Sequence, residues 1–557
     1  MKRFLKIISL ITAFVLVLTC FYGCGAEKAE ALDFPLDGDA YAFDDSNGVS
    51  VHDPSLFKAE DGTYYIYGTH IASAKSSDLI NWQTVSNGVF DNNNTLITVK
   101  YNLRQTLAEP LSWCDGYQKQ CKTKKDEWQT NIWASDVFYN KAMGKYCYYA
   151  CSSVFGTPVS VIWFASSPNP EGPFEYQNAL IYSGFNKLTK FGKQKYPTHY
   201  SFTNLSELIE NGTITKDEVE NAEWFDNEGN YDCSYGAYPN AIDPALFYDE
   251  NGRLWMTYGS YSGGVYIMPL IEETGLPDYD YMRNTDGYDM YFGRQITKTN
   301  GETAGTGEGP YIVYDKEAGY YYLYLTYGGL GALDGYNIRE YRSENPDGPY
   351  LDAMGNNALE MMNTGLKING NYKFSFNDTA RLSGGHSSCF IDDDGRIYQA
   401  YHQRFNDGTG AVFYDEIHQM LRTENGWHTM LPLKFGGETA QSVDYSDIVG
   451  NYEFIMFGNE TTALEDNTDW GSADSIVEPT FKAQISADGT LTIYPNGTDR
   501  SVTTDLYLKN NSYQFTFAFE NAVYYGVFCK GTKDSGNEVM TLSAVADNNK
   551  TVWGVAE

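Results

Sequence analysis

Three acidic residues, far apart in the chain, share one kind of local setting. Asp53 and Asp243 stand directly before a proline, in the sequences HDP and IDP, and Glu308 stands in the sequence GEGP. A single Asp-Pro pair is usually only a turn that starts a strand. Two carboxyl groups that flank a glycosidic bond can hydrolyse it, because one protonates the leaving oxygen while the other activates water or attacks directly. A third carboxylate nearby would raise the pKa of the acid and keep it protonated.

The elements that follow these acids decide whether they meet. Each acid precedes a hairpin made of apolar residues, a short polar turn that ends in glycine, and an aromatic-rich strand. Five such hairpins recur, at residues 56–70, 137–153, 246–262, 312–328 and 389–404. A third strand and an outer turn follow each one, and two outer turns share the pattern S-x-N-P-x-G-P-aromatic, at Ser167–Phe174 and Ser343–Tyr350. Such repeated units bury their faces by stacking radially, so the sequence predicts an all-β fold with a five-bladed β-propeller.

In a propeller, the first strand of each blade lines the central channel, so the residues before the five hairpins should face one another. The two remaining blades contribute WASD at residues 133–136 and GHS at residues 385–387. The pattern therefore predicts that three blades offer an acidic group at the corresponding place in the channel. Gathered carboxylates repel one another and lose hydration, which a purely structural protein has little reason to tolerate.

These segments, quoted with their neighbours, resemble a known family. VHDPSLF with YGTHIASAKSSDLINW, NIWASDVFY, NAIDPALFYDENGRLWMTYGSYSGG, GTGEGPYIVYD and GGHSSC are similar to the motifs of glycoside hydrolase family 43. Within that family they resemble the endo-1,5-α-L-arabinanases that carry an additional C-terminal β domain. The resemblance implies inverting hydrolysis of α-1,5-linked arabinan or arabino-oligosaccharides, with Asp53 as general base, Glu308 as general acid and Asp243 tuning the pKa and orientation of Glu308. Inversion requires the base and the acid to stand roughly 6.5 to 9.5 Å apart.

The same resemblance implies a metal ion and a set of substrate contacts. His386 matches a histidine at a metal site in the channel, where water completes the shell of a calcium ion. Imidazole is an unusual ligand for calcium, and a lone histidine is more often a satisfied core residue. The positions that match substrate contacts are Trp133, Gly156, Asn240, Ala241, Ile242, Ser260, Tyr261 and Ser262. For these residues, packing inside the propeller is nearly as good an explanation.

The net charge and the aromatic content of the chain limit the kinds of molecule that it can bind. The chain has 557 residues and a formal net charge of −34, which would repel phosphate backbones and anionic lipid surfaces. Nucleic acid is therefore excluded as a natural partner, whereas a neutral ligand such as a glycan is allowed. The 47 tyrosines suit both sheet faces and sugar-stacking surfaces.

The N-terminus carries an export signal. Residues 1–24 contain basic Lys2, Arg3 and Lys6, an apolar run and small residues around Cys24, and residues 25–40 read as a linker. The sequence FYGC resembles a bacterial lipoprotein cleavage box with Cys24 as the lipidated residue, and Cys20 is the alternative. We expect an exported bacterial protein, either secreted or held at the cell surface by the lipid anchor, which would be its one contact with a membrane. We also expect a monomer.

Two domains follow the linker. The propeller is predicted over residues 41–444, and residues 447–557 change to short alternating strands that predict a small β-barrel or sandwich. Two polar insertions, Asn87–Thr130 and Gly184–Tyr238, interrupt the propeller, and SELIENGTITKDEVENAEWF in the second predicts a helical excursion. Loops over a propeller mouth set the length of the cleft, so endo and exo action both stay open. Two other functions also remain: an enzymatically silent propeller that captures glycans, and a family member acting on xylan or its arabinose branches.

Overall fold

The computed structural model describes residues 49–90, 103–121, 131–188, 199–233, 237–299, 306–408, 413–464, 469–495 and 500–557. The predicted signal peptide, the lipidation site at Cys24 and the linker at 25–40 lie outside these residues. None of the described helices is both long and apolar enough to cross a membrane.

Five antiparallel sheets form the propeller, and within each sheet neighbouring strands follow the order of the chain. Blade 1 contains β1 (Ser55–Lys58), β2 (Tyr64–Tyr67), β3 (Ala72–Ser76) and β4 (Trp82–Asn87); blade 2 contains β5 (Ile132–Asn140), β6 (Lys145–Ser153), β7 (Ser160–Ser167) and β8 (Glu175–Ser183). Blade 3 contains β9 (Ala245–Tyr248), β10 (Leu254–Ser260), β11 (Gly264–Ile271) and β12 (Leu276–Pro277), and β13 (Arg294–Gln295) pairs with β11. Blade 4 contains β14 (Gly307–Asp315), β15 (Tyr320–Tyr327), β16 (Asn337–Ser343) and β17 (Leu366–Lys367); blade 5 contains β18 (Arg381–Ile391), β19 (Ile397–Phe405), β20 (Phe413–Arg422) and β21 (His428–Met430). The predicted five-bladed propeller is confirmed.

The aromatic-rich strands are buried on both faces because each blade packs between two others. All of β15 except its first residue is buried, which explains its nearly continuous apolar sequence YYYLYLTY. Phe247 and Val265 of blade 3 form one hydrophobic cluster with Leu323 and Leu325 of blade 4. The five turn glycines, Gly62, Gly144, Gly252, Gly319 and Gly395, all have positive φ, so the hairpin turns need the conformational freedom of glycine.

The ring of blades is closed by residues that precede blade 1. The Asp415 N–H on β20 donates to the Val49 carbonyl at 2.9 Å, and the Val51 N–H donates to Asp415 Oδ2 at 2.9 Å. Leu56 and Ile66 of blade 1 share a hydrophobic cluster with Ile417 of blade 5. The first and last blades are therefore joined by hydrogen bonds and by burial.

The two insertions contain helices at the propeller edge. The first holds Leu103–Thr106 and Ala108–Cys121, and the second holds the 3-10 turn Tyr200–Phe202 and the helices Leu205–Glu210 and Lys216–Asn221. Thr215 and Glu218 form a reciprocal capping box at the start of the last helix. The predicted helical excursion is confirmed. Further short helices lie at Tyr279–Asn284 and Tyr445–Ile448, with 3-10 turns at Thr69–Ile71, Gly88–Phe90 and Trp470–Ile476.

The C-terminal part is a nearly closed barrel made of one nine-stranded sheet. Its strands are β22 (Gly450–Phe457), β23 (Thr480–Ile485), β24 (Thr490–Tyr494), β25 (Val502–Asp505), β26 (Tyr507–Leu508), β27 (Gln514–Phe519), β28 (Ala522–Thr532), β29 (Glu538–Ala546) and β30 (Thr551–Ala556), in the order β25-β24-β23-β22-β30-β29-β28-β27-β26. Phe515, Phe517 and Phe519 are buried in its core, so their rings are engaged in packing. Phe457 and Trp553 join a cluster that includes Tyr401 of blade 5, so the barrel packs against the propeller.

Candidate active site

The five inner strands meet around one channel, and each enters it through a residue of unusual backbone conformation. The residues with positive φ are Asp53 (58°), Ala134 (21°), Asp243 (55°), Gly309 (57°) and His386 (47°). All five line a single cavity of about 20 Å³, which admits about one water molecule. Positive φ is uncommon for residues other than glycine and persists only where the surroundings enforce it. The same turn therefore directs one residue of every blade into the channel.

The three predicted acids do not occupy equivalent positions. Asp53 and Asp243 hold the positive-φ position, but Gly309 holds it in blade 4, so Glu308 stands one residue earlier. The prediction that three blades offer an acid at the corresponding place is thus wrong by one residue for Glu308. The register of β14 is irregular between Glu308 and Tyr311, around Gly309, as that of β5 is around Ala134 and that of β18 around His386, so Gly309 and not Glu308 is the residue of blade 4 that corresponds to them.

Three side chains contact the Asp53 carboxylate directly, and a fourth, that of His402, lies close to it. Its Oδ2 accepts a 2.5 Å hydrogen bond from Thr69 Oγ1 and lies 2.9 Å from His52 Nδ1. Its Oδ1 lies 3.1 Å from His386 Nδ1 and 3.7 Å from His402 Nδ1. Burial by itself would raise the pKa of the Asp53 carboxyl, but His386, His52 and His402 outweigh it and hold this pKa well below its usual range. Asp53 is therefore ionised, as a general base must be.

Burial also changes the pKa of two of the histidines beside Asp53. Burial lowers the pKa of His386 and, more strongly, that of His402, so at neutral pH both imidazoles are uncharged. At neutral pH His386 therefore supports the Asp53 carboxylate by hydrogen bonding, whereas His402 supports the Asp53 backbone. His402 stacks on His52 with ring centroids 4.2 Å apart, and the Asp53 N–H donates to His402 Nδ1 at 3.3 Å.

Glu308 and Asp243 show the opposite electrostatic behaviour. Burial, with repulsion from Asp53, raises the pKa of Glu308 to about 7, although the hydrogen bond that it accepts from the Tyr336 hydroxyl opposes this. Burial and the charges of Glu308 and Asp53 raise the pKa of Asp243 well above its usual range. The Gly309 N–H donates to Asp243 Oδ2 at 3.2 Å, and this hydrogen bond favours the charged form of Asp243 and so opposes the effect of burial. The site therefore holds an ionised carboxylate beside a carboxyl group that keeps its proton near neutrality.

The predicted substrate contacts divide into two groups. Trp133 is half-buried, and its ring meets the edge of Phe155 at a centroid distance of 6.3 Å. Phe155 is 81% exposed, and the adjacent Gly156 would have no atom within 4 Å of an added Cβ, so this turn forms an open aromatic rim.

The second group is engaged in packing around Asp243. Asn240 Oδ1 accepts from Ser160 Oγ at 2.7 Å, and the Ala241 N–H donates to Ser183 Oγ at 2.9 Å. The Tyr261 hydroxyl donates to the Gly328 carbonyl of blade 4. Ile242 and Ser260 are buried, while Ser262 is half-exposed. The contacts of Asn240 and Ala241 fix the segment that carries Asp243, and that of Tyr261 ties the turn after β10 to blade 4, so these contacts agree with packing inside the propeller.

Four residues around the acids were not identified from the sequence: Thr69, Tyr336, His52 and His402. Thr69 and His52 lie within the quoted motifs YGTH and VHDP, which could have identified them. His402 lies in the second strand of the fifth hairpin, where its pattern is that of a buried strand residue. Tyr336 stands in a loop whose sequence carries no signal for it.

The carboxyl groups that line the channel would attract a cation, but the nitrogen of His386 is not the kind of ligand that calcium prefers. Asp53, Asp136 and Asp243 place three carboxyl groups on the cavity that His386 also lines. Calcium prefers oxygen, whereas His386 supplies a nitrogen that already contacts Asp53. A calcium ion here would therefore need water or carboxylate oxygens for most of its ligands, and the cavity has room for one such guest.

Comparison with known proteins identifies similar chains over almost the whole length. A family model described as glycosyl hydrolases family 43 matches residues 187–427, and one described as a C-terminal lipocalin-like domain matches residues 432–554. An extracellular endo-α-(1→5)-L-arabinanase of Thermotoga petrophila is 33% identical, with 91% of this chain and 93% of that protein covered. An extracellular endo-α-(1→5)-L-arabinanase of Bacillus subtilis is 32% identical over 91% and 92% of the two chains. The crystal structure of the endo-1,5-α-L-arabinanase from Thermotoga petrophila in complex with Tris is similar with a TM-score of 0.71 and 31% identity, covering 91% of this chain and 98% of that chain.

Proposed function

Because the chain belongs to glycosyl hydrolase family 43, as its motifs had predicted, we propose that it hydrolyses α-1,5-linked L-arabinan at internal bonds and inverts the anomeric configuration. The observation that carries this proposal is the opposite protonation of two carboxyl groups in one channel. The pKa of Asp53 is held well below its usual range, while that of Glu308 is raised to about 7. Divergent pKa values in one site assign a base and an acid.

Each acid then has a defined task. The protonated Glu308 gives its proton to the oxygen of the leaving arabinose unit. The ionised Asp53 takes a proton from the water that attacks the anomeric carbon on the opposite face of the ring. Asp243 repels negative charge on Glu308 and so helps to keep that carboxyl group protonated; the charge of Glu308 contributes to the raised pKa of Asp243, which supports an electrostatic interaction between the two groups. The exposed Phe155 beside Trp133 offers the open surface on which furanose rings would rest.

The proposal includes one calcium ion near His386, with water and carboxylate oxygens as its other ligands. When bound, the ion would add positive charge at the floor of the channel and so reduce the cost of keeping Asp53 ionised. The proposal also includes export through residues 1–24, with Cys24 as the lipid anchor, and a monomeric enzyme acting on arabinan outside the cell. The two relatives, both extracellular arabinanases, support the location.

The test is the size of the products formed from debranched arabinan. A ladder of short oligomers is expected. Monomer or one uniform product would mean exo action, and cleavage of arabinoxylan instead would mean a different substrate. Binding without any product would favour the silent glycan-binding propeller.

The acids are tested in parallel in the same assay. Asp53→Ala and Glu308→Ala should abolish turnover while leaving the melting temperature close to that of the unmodified protein. Asp393→Ala, which removes a carboxylate that is exposed at the hairpin turn of blade 5, is the matched control and should keep full activity. Unchanged turnover in either channel variant would reject the role given to that residue.

A further inference from the structure

The hydroxyl group of Tyr336 donates a hydrogen bond to Glu308 Oε1. We propose that Tyr336 is the positioning residue of the acid: by occupying Oε1 it leaves Oε2 to carry the proton that passes to the leaving oxygen. This inference rests on the proposed function, since it needs Glu308 to act as the acid. Tyr336 does not touch the substrate in this scheme, and acts only through Glu308.

The phenol ring cannot turn away from Glu308. Tyr336 is buried, and its ring stacks on that of His402 with centroids 5.7 Å apart. The ring packs directly against the backbone of Gly385, since a Cβ on this residue would lie only 2.5 Å from Tyr336 Cδ1. The Tyr336 N–H donates to Ser383 Oγ at 3.3 Å, which fixes the backbone as well.

The loop that carries Tyr336 is held from its other side by the first loop of the C-terminal part. The Leu464 N–H donates to the Leu333 carbonyl at 2.9 Å, and Asn337 Nδ2 donates to Thr461 Oγ1 at 3.3 Å. A Cβ on Gly335 would lie 2.3 Å from the Thr462 carbonyl oxygen, so the two segments touch without a gap. Tyr336 is thus preorganised, which is what a group that must orient an acid requires.

With Tyr336 bound to Oε1, each proton and each bond of the hydrolysis step can be assigned to an atom. Neutral Glu308 carries its proton on Oε2, and that proton moves to the glycosidic oxygen as the bond from this oxygen to the anomeric carbon breaks. The water oxygen forms the new bond to that carbon, and a proton of the water passes to Asp53. Glu308 ends as a carboxylate, and the hydrogen bond from Tyr336 becomes stronger because its acceptor is then charged. The phenol therefore stabilises the state toward which the transfer proceeds.

A purely structural role would make a different prediction. A buried tyrosine hydroxyl needs some partner, and losing that partner would reduce stability without regard to the chemistry of the substrate. The distinguishing measurement is the dependence on the leaving group, because a 2,4-dinitrophenyl group departs without being protonated whereas an arabinan chain does not.

The experiment compares Tyr336→Phe with Tyr327→Phe on linear arabinan and on a 2,4-dinitrophenyl α-arabino-oligosaccharide. Tyr336→Phe keeps the ring and should lower kcat on arabinan about tenfold to hundredfold, the size expected for one hydrogen bond to a developing charge, with KM within about twofold. The loss should nearly vanish on the dinitrophenyl substrate. Tyr327 is a buried tyrosine of the same blade whose hydroxyl bonds to that of Tyr341 at 2.7 Å and not to Glu308. Tyr327→Phe should therefore show no dependence on the leaving group.

Equal losses on both substrates, or full activity of Tyr336→Phe on arabinan, would overturn the proposal. On the dinitrophenyl substrate, which does not need the acid, the double variant Glu308→Ala/Tyr336→Phe should be no slower than Glu308→Ala alone, because Tyr336 acts only through Glu308. A further loss in the double variant would also overturn it. Failure of the underlying function would look different, since Glu308→Ala would then keep its activity on arabinan.

Discussion

Removing the hydroxyl of Thr69 should lower kcat, because this hydroxyl holds the carboxylate of the proposed base, Asp53, in position. Thr69 Oγ1 donates to Asp53 Oδ2 at 2.5 Å and accepts from the Ala134 N–H at 2.8 Å, so one side chain joins the base in blade 1 to the neighbouring position of blade 2. Thr69→Val keeps the shape of the side chain and removes both hydrogen bonds. Thr69→Ser removes only a methyl group and keeps both.

The size of the effect follows from these two bonds. A hydrogen bond to a charged group contributes about 1.5–3 kcal/mol. If it is needed to aim the Asp53 carboxylate in the transition state, its loss lowers kcat by about 10- to 150-fold, since 1.36 kcal/mol corresponds to a factor of ten. The Ala134 N–H would be left buried without an acceptor, which costs about 1–3 kcal/mol of folding free energy. The melting temperature of Thr69→Val should therefore fall as well.

The assay is steady-state hydrolysis of debranched arabinan at a temperature well below the melting point of every variant. Thr69→Val should lose kcat with KM nearly unchanged, and Thr69→Ser should recover most of it. Thermal unfolding in the same buffer separates the stability loss from the catalytic one. The reasoning is refuted if Thr69→Val keeps kcat within about twofold, or if Thr69→Ser is as slow as Thr69→Val.

Two further variants or treatments probe the electrostatics of the channel. If Asp243 repels Glu308 as proposed, Asp243→Asn should lower the pKa of Glu308 from about 7, and the acid should lose its proton at lower pH. The basic limb of the pH profile for kcat/KM should therefore move to lower pH, and a limb that stays in place would contradict this. Depletion of calcium with a chelator should reduce arabinan hydrolysis and thermal stability, both restored by added calcium but not by added sodium. Indifference of both measurements to the chelator would remove the support for a metal at His386.

The repeated part of the fold could be predicted because its signal is local. In LFYDENGRLWMTYGSYS, alternating apolar residues flank a turn at Gly252, and the structure places β9 and β10 on either side of that turn. The same local pattern, read five times, leads to the propeller because no such unit can bury both of its faces alone. The C-terminal strands were predictable for the same reason.

The contacts that tune the acids could not be predicted, because they join residues from different blades. Asp53 and His402 are 349 positions apart, and the partner of Glu308 comes from a loop that the C-terminal part helps to hold. No periodicity records such pairs. The one-residue offset of Glu308 is a different case: aligning Pro310 with Pro54 and Pro244 would have placed Gly309, and not Glu308, opposite the two aspartates.

Blade 2 contributes only a methyl group to the ring of five turned residues. Ala134 has a positive φ of 21°, smaller than the 58° and 55° of Asp53 and Asp243, and asparagine and aspartate are the residues other than glycine that accept positive φ most readily. Asn or Asp at position 134 would be the fourth polar side chain among the five residues of positive φ, beside Asp53, Asp243 and His386, and would fill the space that now admits about one water molecule. A single substitution at position 134 would therefore add a new cation ligand or a new proton acceptor to the channel.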